Sequence, residues 1–83
     1  MSRVARPHVP LRPIWLCRAC GHPWPCGEAR LSLLVEYRGN RVALLIYLAV
    51  LHDEATEQLA QLTPGEPPPD LTERFLSWAR ARG

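Results

Sequence analysis

All three cysteines of the chain lie within ten residues, in Cys17-Arg18-Ala19-Cys20-Gly21-His22-Pro23-Trp24-Pro25-Cys26, and this spacing constrains the fold more than any other feature. A Cys-x2-Cys turn brings two thiolates to one ion, and Gly21 directly after it supplies the backbone freedom that such knuckles use. Cys26 follows at the expected start of a helix, where backbone N–H groups favour a thiolate. Pro23 and Pro25 stiffen the return between them. Three thiols cannot all pair within one monomer, whereas a metal ion can use all three. At 83 residues the chain can bury only a modest share of its surface, so a metal staple also meets a need for stability.

A tetrahedral ion takes four ligands, and three histidines compete for the fourth position. His8 lies nine residues before Cys17 on an arm stiffened by Pro7, Pro10 and Pro13, and it is the leading candidate. His22 is the alternative, although two residues after Cys20 its ring would need a cramped loop. His52 falls in the middle of a long helical pattern and reads as a surface or half-buried residue. Water or a partner's ligand would complete the site otherwise. An open fourth position would permit catalysis, but no nucleophile–base set or pair of carboxylates is visible, and His52-Asp53-Glu54 reads as a helix surface. The expectation is therefore a structural Cys3His site formed by Cys17, Cys20, Cys26 and His8, holding zinc in a protein that is not an enzyme.

Charge is unevenly distributed. Residues 1–41 carry +5 and residues 42–83 carry −3, for a net charge of +2, and every basic residue is arginine. An arginine-only composition rich in alanine, leucine and proline suggests a GC-rich genome. Arg3, Arg6, Arg12 and Arg18, with Trp15 and Trp24 beside the cysteines, form a candidate surface for phosphates, bases or an acidic partner. The simpler reading has the arginines on a solvated arm and the tryptophans covering the metal and packing on the helices. No secretory signal is apparent, because prolines interrupt any apolar segment near the N-terminus. The longest apolar run, Val42 to Leu51, is ten residues and too short to span a bilayer. A cytoplasmic location, where thiols stay reduced, is expected.

The pattern predicts one domain over residues 1–83, with an arm and metal knuckle over 1–27 and three helices over 28–83. Helix one is expected from Gly27 or Glu28 to Arg38, with Leu31, Leu34 and Val35 at helical spacing. Gly39-Asn40 stops it. Helix two is expected from Arg41 to Leu62. Its first half is apolar on every side, as in a central buried helix, and its second half narrows to Leu48, Leu51, Ala55, Leu59 and Leu62. After a proline connector over 66–69, Asp70 and Glu73 form a capping-box pattern for helix three, which places Leu71, Phe75 and Trp78 on one face. The fold class is all-α, a three-helix cluster with an extended arm and a zinc knuckle at its N-terminal edge.

The string Pro13-x-Trp15-x-Cys17-x2-Cys20-Gly21-x2-Trp24-Pro25-Cys26, with Ala29-Arg30-x2-Leu33 and Glu36-Tyr37, resembles a group of small actinobacterial proteins without an assigned activity. The resemblance continues through Ile46-Tyr47-Leu48 to Arg74-Phe75-Leu76-x-Trp78, and His8 looks like part of it. Some members carry a flavin reductase label. This chain is too short for a flavin-binding barrel and has no phosphate-binding glycine loop, so that label is set aside. A more distant resemblance is to WhiB-like iron–sulfur regulators, whose last three cysteines share the spacing of Cys17, Cys20 and Cys26. The first cysteine of that pattern is missing here, as are its Gly-Trp-rich turn and basic tail. A four-iron cluster normally takes four thiolates, which favours zinc. The leading expectation is a small zinc-binding regulatory or adaptor protein whose partner is another protein. The alternatives are a nucleic-acid-binding regulator and an iron–sulfur or thiol redox sensor. No membrane is expected as a partner, and the expected state is a monomer or a homodimer.

Overall fold

The computed structural model describes residues 7–81, with about 55% helix beside one small sheet. Helix α1 spans Gly27–Glu36 and helix α2 spans Arg41–Leu62. The third helical segment begins as a π-helical turn, Glu73–Ser77, and runs into α3, Trp78–Ala81. Local signals set these ends. Gly39 adopts φ 78, and Asn40 Oδ1 accepts the Ala43 N–H at 3.3 Å to cap α2. Asp70 Oδ1 accepts the Thr72 N–H at 3.1 Å at the entry to the third segment.

The fold is not purely α-helical. Strand β1, Pro10–Leu11, pairs antiparallel with β2, Leu16–Cys17, so that Pro10 lies opposite Cys17 and Leu11 opposite Leu16. Leu16 also bridges to Pro23 on its other side. The physical reason is the same proline content that excludes helix: proline fixes φ in the extended range. When the arm doubles back, extended backbone meets extended backbone.

The core forms around an aromatic trio. Trp15 lies 5.7 Å from Phe75 between ring centroids, Trp24 lies 6.0 Å from Phe75, and the two indoles are 6.3 Å apart, all in tilted or edge geometry. Around them pack Leu44, Leu48, Leu51 and Ala55 of α2, Ala29 and Leu33 of α1, and Leu71 and Ala79. Two expected faces are corrected. On α1 the buried residues are Ala29 and Leu33, whereas Leu31 is 57% exposed and Val35 62% exposed. On α2 the first half is not buried all round: Val42, Ile46 and Val50 are exposed, as is Leu62 at the far end. The third helical segment packs against α2 from one side, so the opposite side of α2 keeps its apolar residues in solvent. Trp78 is only half-buried, with the Arg30 guanidinium 5.5 Å from its ring centroid.

Trp15 has φ 58, a left-handed conformation that costs a bulky residue about 1–3 kcal/mol. Four hydrogen bonds hold it there. Its N–H donates to Leu11 O at 2.6 Å, and its carbonyl accepts from the Trp24 N–H at 3.0 Å and from Arg74 Nη2 at 2.5 Å. Its indole N–H donates to Gln58 Oε1 at 2.8 Å. Arg74 also donates from Nε to Trp24 O at 2.8 Å, so one guanidinium ties the last helical segment to both tryptophan carbonyls. Arg30 does similar work, from Nε to Pro25 O at 3.0 Å and from Nη2 to Arg74 O at 3.4 Å. Burial, with Arg30 adding in the same direction, pushes the Arg74 pKa below its ordinary value.

Arg12 forms a bidentate pair with Glu54, at 2.6 and 3.3 Å, and its guanidinium lies 4.7 Å from the Trp15 ring centroid. Gln58 Nε2 donates to the same carboxylate at 3.3 Å, linking this pair to the Trp15 indole. The two arginines should differ in weight. Replacing Arg74 by Gln should cost about 1.5–3 kcal/mol, because it leaves two core carbonyls without their charged donor. Arg12→Gln should cost about 1 kcal/mol, since its ion pair is solvent-screened. Denaturant unfolding of the two variants checks the order, and a larger loss for Arg12 would contradict it.

Candidate metal centre

Three segments meet at one end of the molecule. The arm just before β1 brings His8, β2 and the turn after it bring Cys17 and Cys20, and the N-cap of α1 is Cys26. Their ligand atoms all lie within 4.8 Å of one another. His8 Nδ1 is 3.2 Å from Cys17 Sγ and 3.3 Å from Cys26 Sγ. Metal–sulfur bonds of about 2.3 Å and a metal–nitrogen bond of about 2.0–2.1 Å put the corners of a tetrahedron ~3.5–3.8 Å apart. The set therefore has the size of a single-ion site. The three cysteines are free thiols, with Cys17 and Cys26 buried and Cys20 exposed.

The loop is shaped by its own backbone. Gly21, at φ 77, donates its N–H to Cys17 O at 2.8 Å, while the Cys17 N–H donates to His22 O at 2.7 Å. The Ala19 N–H reaches Cys17 Sγ at 3.4 Å. These contacts decide the electrostatics. Burial alone would raise the Cys17 pKa, but the amides of Cys20 and Ala19 and the neighbouring thiols lower it to about 6. Cys26 moves the other way. Burial raises it, the Ala29 amide of the first helical turn opposes that, and the Cys17 and Cys20 thiols raise it further. A cation between the sulfurs would relieve the crowding of negative charge that Cys26 resists.

His8 is held by its backbone. The Arg18 N–H donates to Val9 O at 2.8 Å beside the β1–β2 pair, and the Trp24 indole N–H donates to His8 O at 3.0 Å. Thus Trp24, itself 3% exposed, contributes to the site by orienting a ligand. An indole in the loop is visible in the sequence, but its partner is set only when the arm folds back.

The other predicted residues are placed elsewhere. His22, the alternative fourth ligand, is exposed and falls outside the four-residue group. Its carbonyl accepts from the Cys17 amide. His52 sits 3.0 Å from Asp53 Oδ1 and against the edge of Phe75. Trp15 and Trp24 are not a stacking surface, since both are buried among core aromatics. Arg12 is engaged by Glu54, and Arg18 is exposed. Arg3 and Arg6 lie outside the described residues. Arg30 and Arg74, whose clamps brace the knuckle, carried no signal in periodicity, which reads an arginine as surface. A groove of about 670 Å³ opens beside the centre, lined among others by Cys20, His22, Arg30, Leu31, Leu34 and Trp78.

Compared with protein-family models, curated proteins and solved structures, the chain gives no match. Among the described residues, no helix is long and apolar enough to cross a membrane. The geometry makes a clear division among the histidines. His8→Ala should remove one ligand and weaken metal binding strongly, whereas His22→Ala should leave it unchanged. Trp24→Phe, which deletes the donor to the His8 carbonyl together with part of a buried ring, should weaken binding about 10–100-fold. Competition titration with a chromophoric chelator measures all three, and a His22 effect equal to that of His8 would contradict the assignment.

Proposed function

We propose that the protein is a small, non-enzymatic zinc-binding module in which the metal is structural and the folded surface serves a regulatory or adaptor role toward another protein. The observation that carries this reading is the meeting of His8, Cys17, Cys20 and Cys26 from three separate segments, with ligand atoms within 4.8 Å of one another. Such a set closes the ion off with four protein ligands, which suits a structural site rather than one that keeps a position for substrate. A mixed thiolate and imidazole set is also the ligand chemistry that zinc favours. Zinc would pin the arm to the knuckle and to the start of α1, adding binding free energy to a small core.

The alternatives receive less support. Ligand atoms this close suit one ion, whereas a four-iron cluster inserts a cube of iron and sulfide between its ligands and normally takes four thiolates. The nucleic-acid reading places Arg3, Arg6, Arg12 and Arg18 on phosphates beside Trp15 and Trp24, and of these Arg3 and Arg6 lie outside the described residues. Both indoles are buried, and Arg12, although exposed, is paired with Glu54, which leaves Arg18 as the exposed cation of that candidate surface not engaged by this pair.

Elemental analysis of the purified protein should find one zinc per chain and a colourless solution. Chelation should abolish arm order and lower helical content, followed by circular dichroism and by hydrogen exchange at the Cys17 and Gly21 amides. Full retention of both after metal removal would overturn the structural role, and iron with visible absorbance would overturn the choice of metal.

A further inference from the structure

The cleft between α1 and the last helical segment gathers positive charge and hydrogen-bond donors beyond what its own acceptors use. It measures about 640 Å³ and is lined by Arg30, Asp70, Glu73, Arg74, Ser77 and Trp78. Arg30 and Arg74 are both half-buried there, with Arg30 Nη2 3.4 Å from Arg74 O. Each spends Nε and Nη2 on backbone carbonyls, and among the described residues neither Nη1 has a hydrogen-bond partner. Neither guanidinium is paired with a carboxylate among those residues. Their repulsion is felt: after burial, Arg30 is the second cause of the lowered Arg74 pKa. Trp78 adds a further uncommitted donor, since its indole Nε1 is buried without a hydrogen-bond partner.

Bracing the knuckle accounts for the nitrogens that meet carbonyls, but not for two cations brought together partly out of water. Such a pair calls for a counter-ion. Asp70 and Glu73 do not supply it: Asp70 Oδ1 accepts from the Thr72 N–H, and both residues are exposed. We infer that the cleft binds a compact phosphate dianion, free or carried on a small ester, between Arg30 and Arg74, with the Ser77 hydroxyl as a further donor. Two monocations match a dianion, and planar guanidinium N–H groups suit phosphate oxygens. A carboxylate, with one charge and two oxygens, would leave part of the donor set unused. Asp70 and Glu73 disfavour an extended polyanion, whose further charges would meet theirs. None of the four metal ligands lines this cleft, so the inference goes beyond the zinc reading and does not rest on it.

Titration of the metal-loaded protein with inorganic phosphate at constant ionic strength tests the site, followed by heteronuclear NMR with metal content assayed at each point. Saturable shifts are expected at the Arg30 and Arg74 Nε–H groups, the Ser77 amide and the Trp78 indole N–H, with a much weaker response to acetate. Arg30→Gln should weaken phosphate binding about tenfold or more, with helicity and metal content unchanged. The exposed position of Glu73 offers a variant that spares the fold, and Glu73→Gln should tighten binding about twofold. Phenyl phosphate in a parallel titration separates the two sources. Tighter binding than inorganic phosphate assigns the ligand as an ester, and equal or weaker binding assigns it as the free ion. No saturable shift, shifts confined to the cysteine loop, or acetate binding as tightly as phosphate would overturn the inference. So would unchanged affinity in Arg30→Gln, or weakened affinity in Glu73→Gln.

Discussion

The return of the N-terminal arm onto the cysteine loop is the constraint on which the rest of the structure depends. His8 is separated from Cys17 by a full strand and turn, yet its Nδ1 lies 3.2 Å from that sulfur. The return is held by the pairing of β1 with β2, through a turn that sets Trp15 in left-handed backbone, and by the Trp24 indole on the His8 carbonyl. Closure of the loop in turn orients Trp15 and Trp24 inward. Their carbonyls face Arg74, and their rings meet Phe75. Metal centre and aromatic core are thus two sides of one backbone segment, and a change at either is felt by the other.

That coupling explains why arginines, not carboxylates, brace the centre. The carbonyls of Trp15 and Trp24 accept from Arg74 of the last helical segment, and that of Pro25 accepts from Arg30 of α1. Guanidinium groups can donate to several such acceptors at once, which a carboxylate cannot do. Arg74 and Arg30 join the knuckle to the helices through cationic donors on backbone carbonyls. The negative charge gathered by three cysteines is then answered locally, by amides at Cys17 and by the helix start at Cys26.

Much of this was legible in the chain because its signals are local. Asn40 and the Thr63-Pro64-Gly65 stop delimit α2 at Arg41–Leu62, as the pattern predicts. Cys-x2-Cys-Gly specifies its own turn, and a proline-stiffened arm is a reasonable source for a fourth ligand. The rest depends on contacts between distant residues. The pattern picks the wrong face of α1, because Ala29 packs into the core despite its size while Leu31 and Val35 stay largely exposed. The β1–β2 pair arises from doubling back and not from strand propensity, since it includes Pro10. Arg12 and Glu54 are 42 residues apart, and nothing nearby in sequence connects them. The left-handed backbone of Trp15 is likewise invisible until Arg74, Trp24 and Gln58 surround it.

The central claim is that one ion is held by three sulfurs and one imidazole nitrogen, with the nitrogen drawn from the arm. X-ray absorption at the metal edge of the loaded protein measures that set directly. The account predicts three sulfur scatterers at about 2.3 Å and one nitrogen at about 2.0–2.1 Å, with the nitrogen shell carrying imidazole multiple scattering that disappears in His8→Ala. Four equivalent sulfurs, a bound water in place of nitrogen, or an imidazole signal that persists without His8 would contradict it.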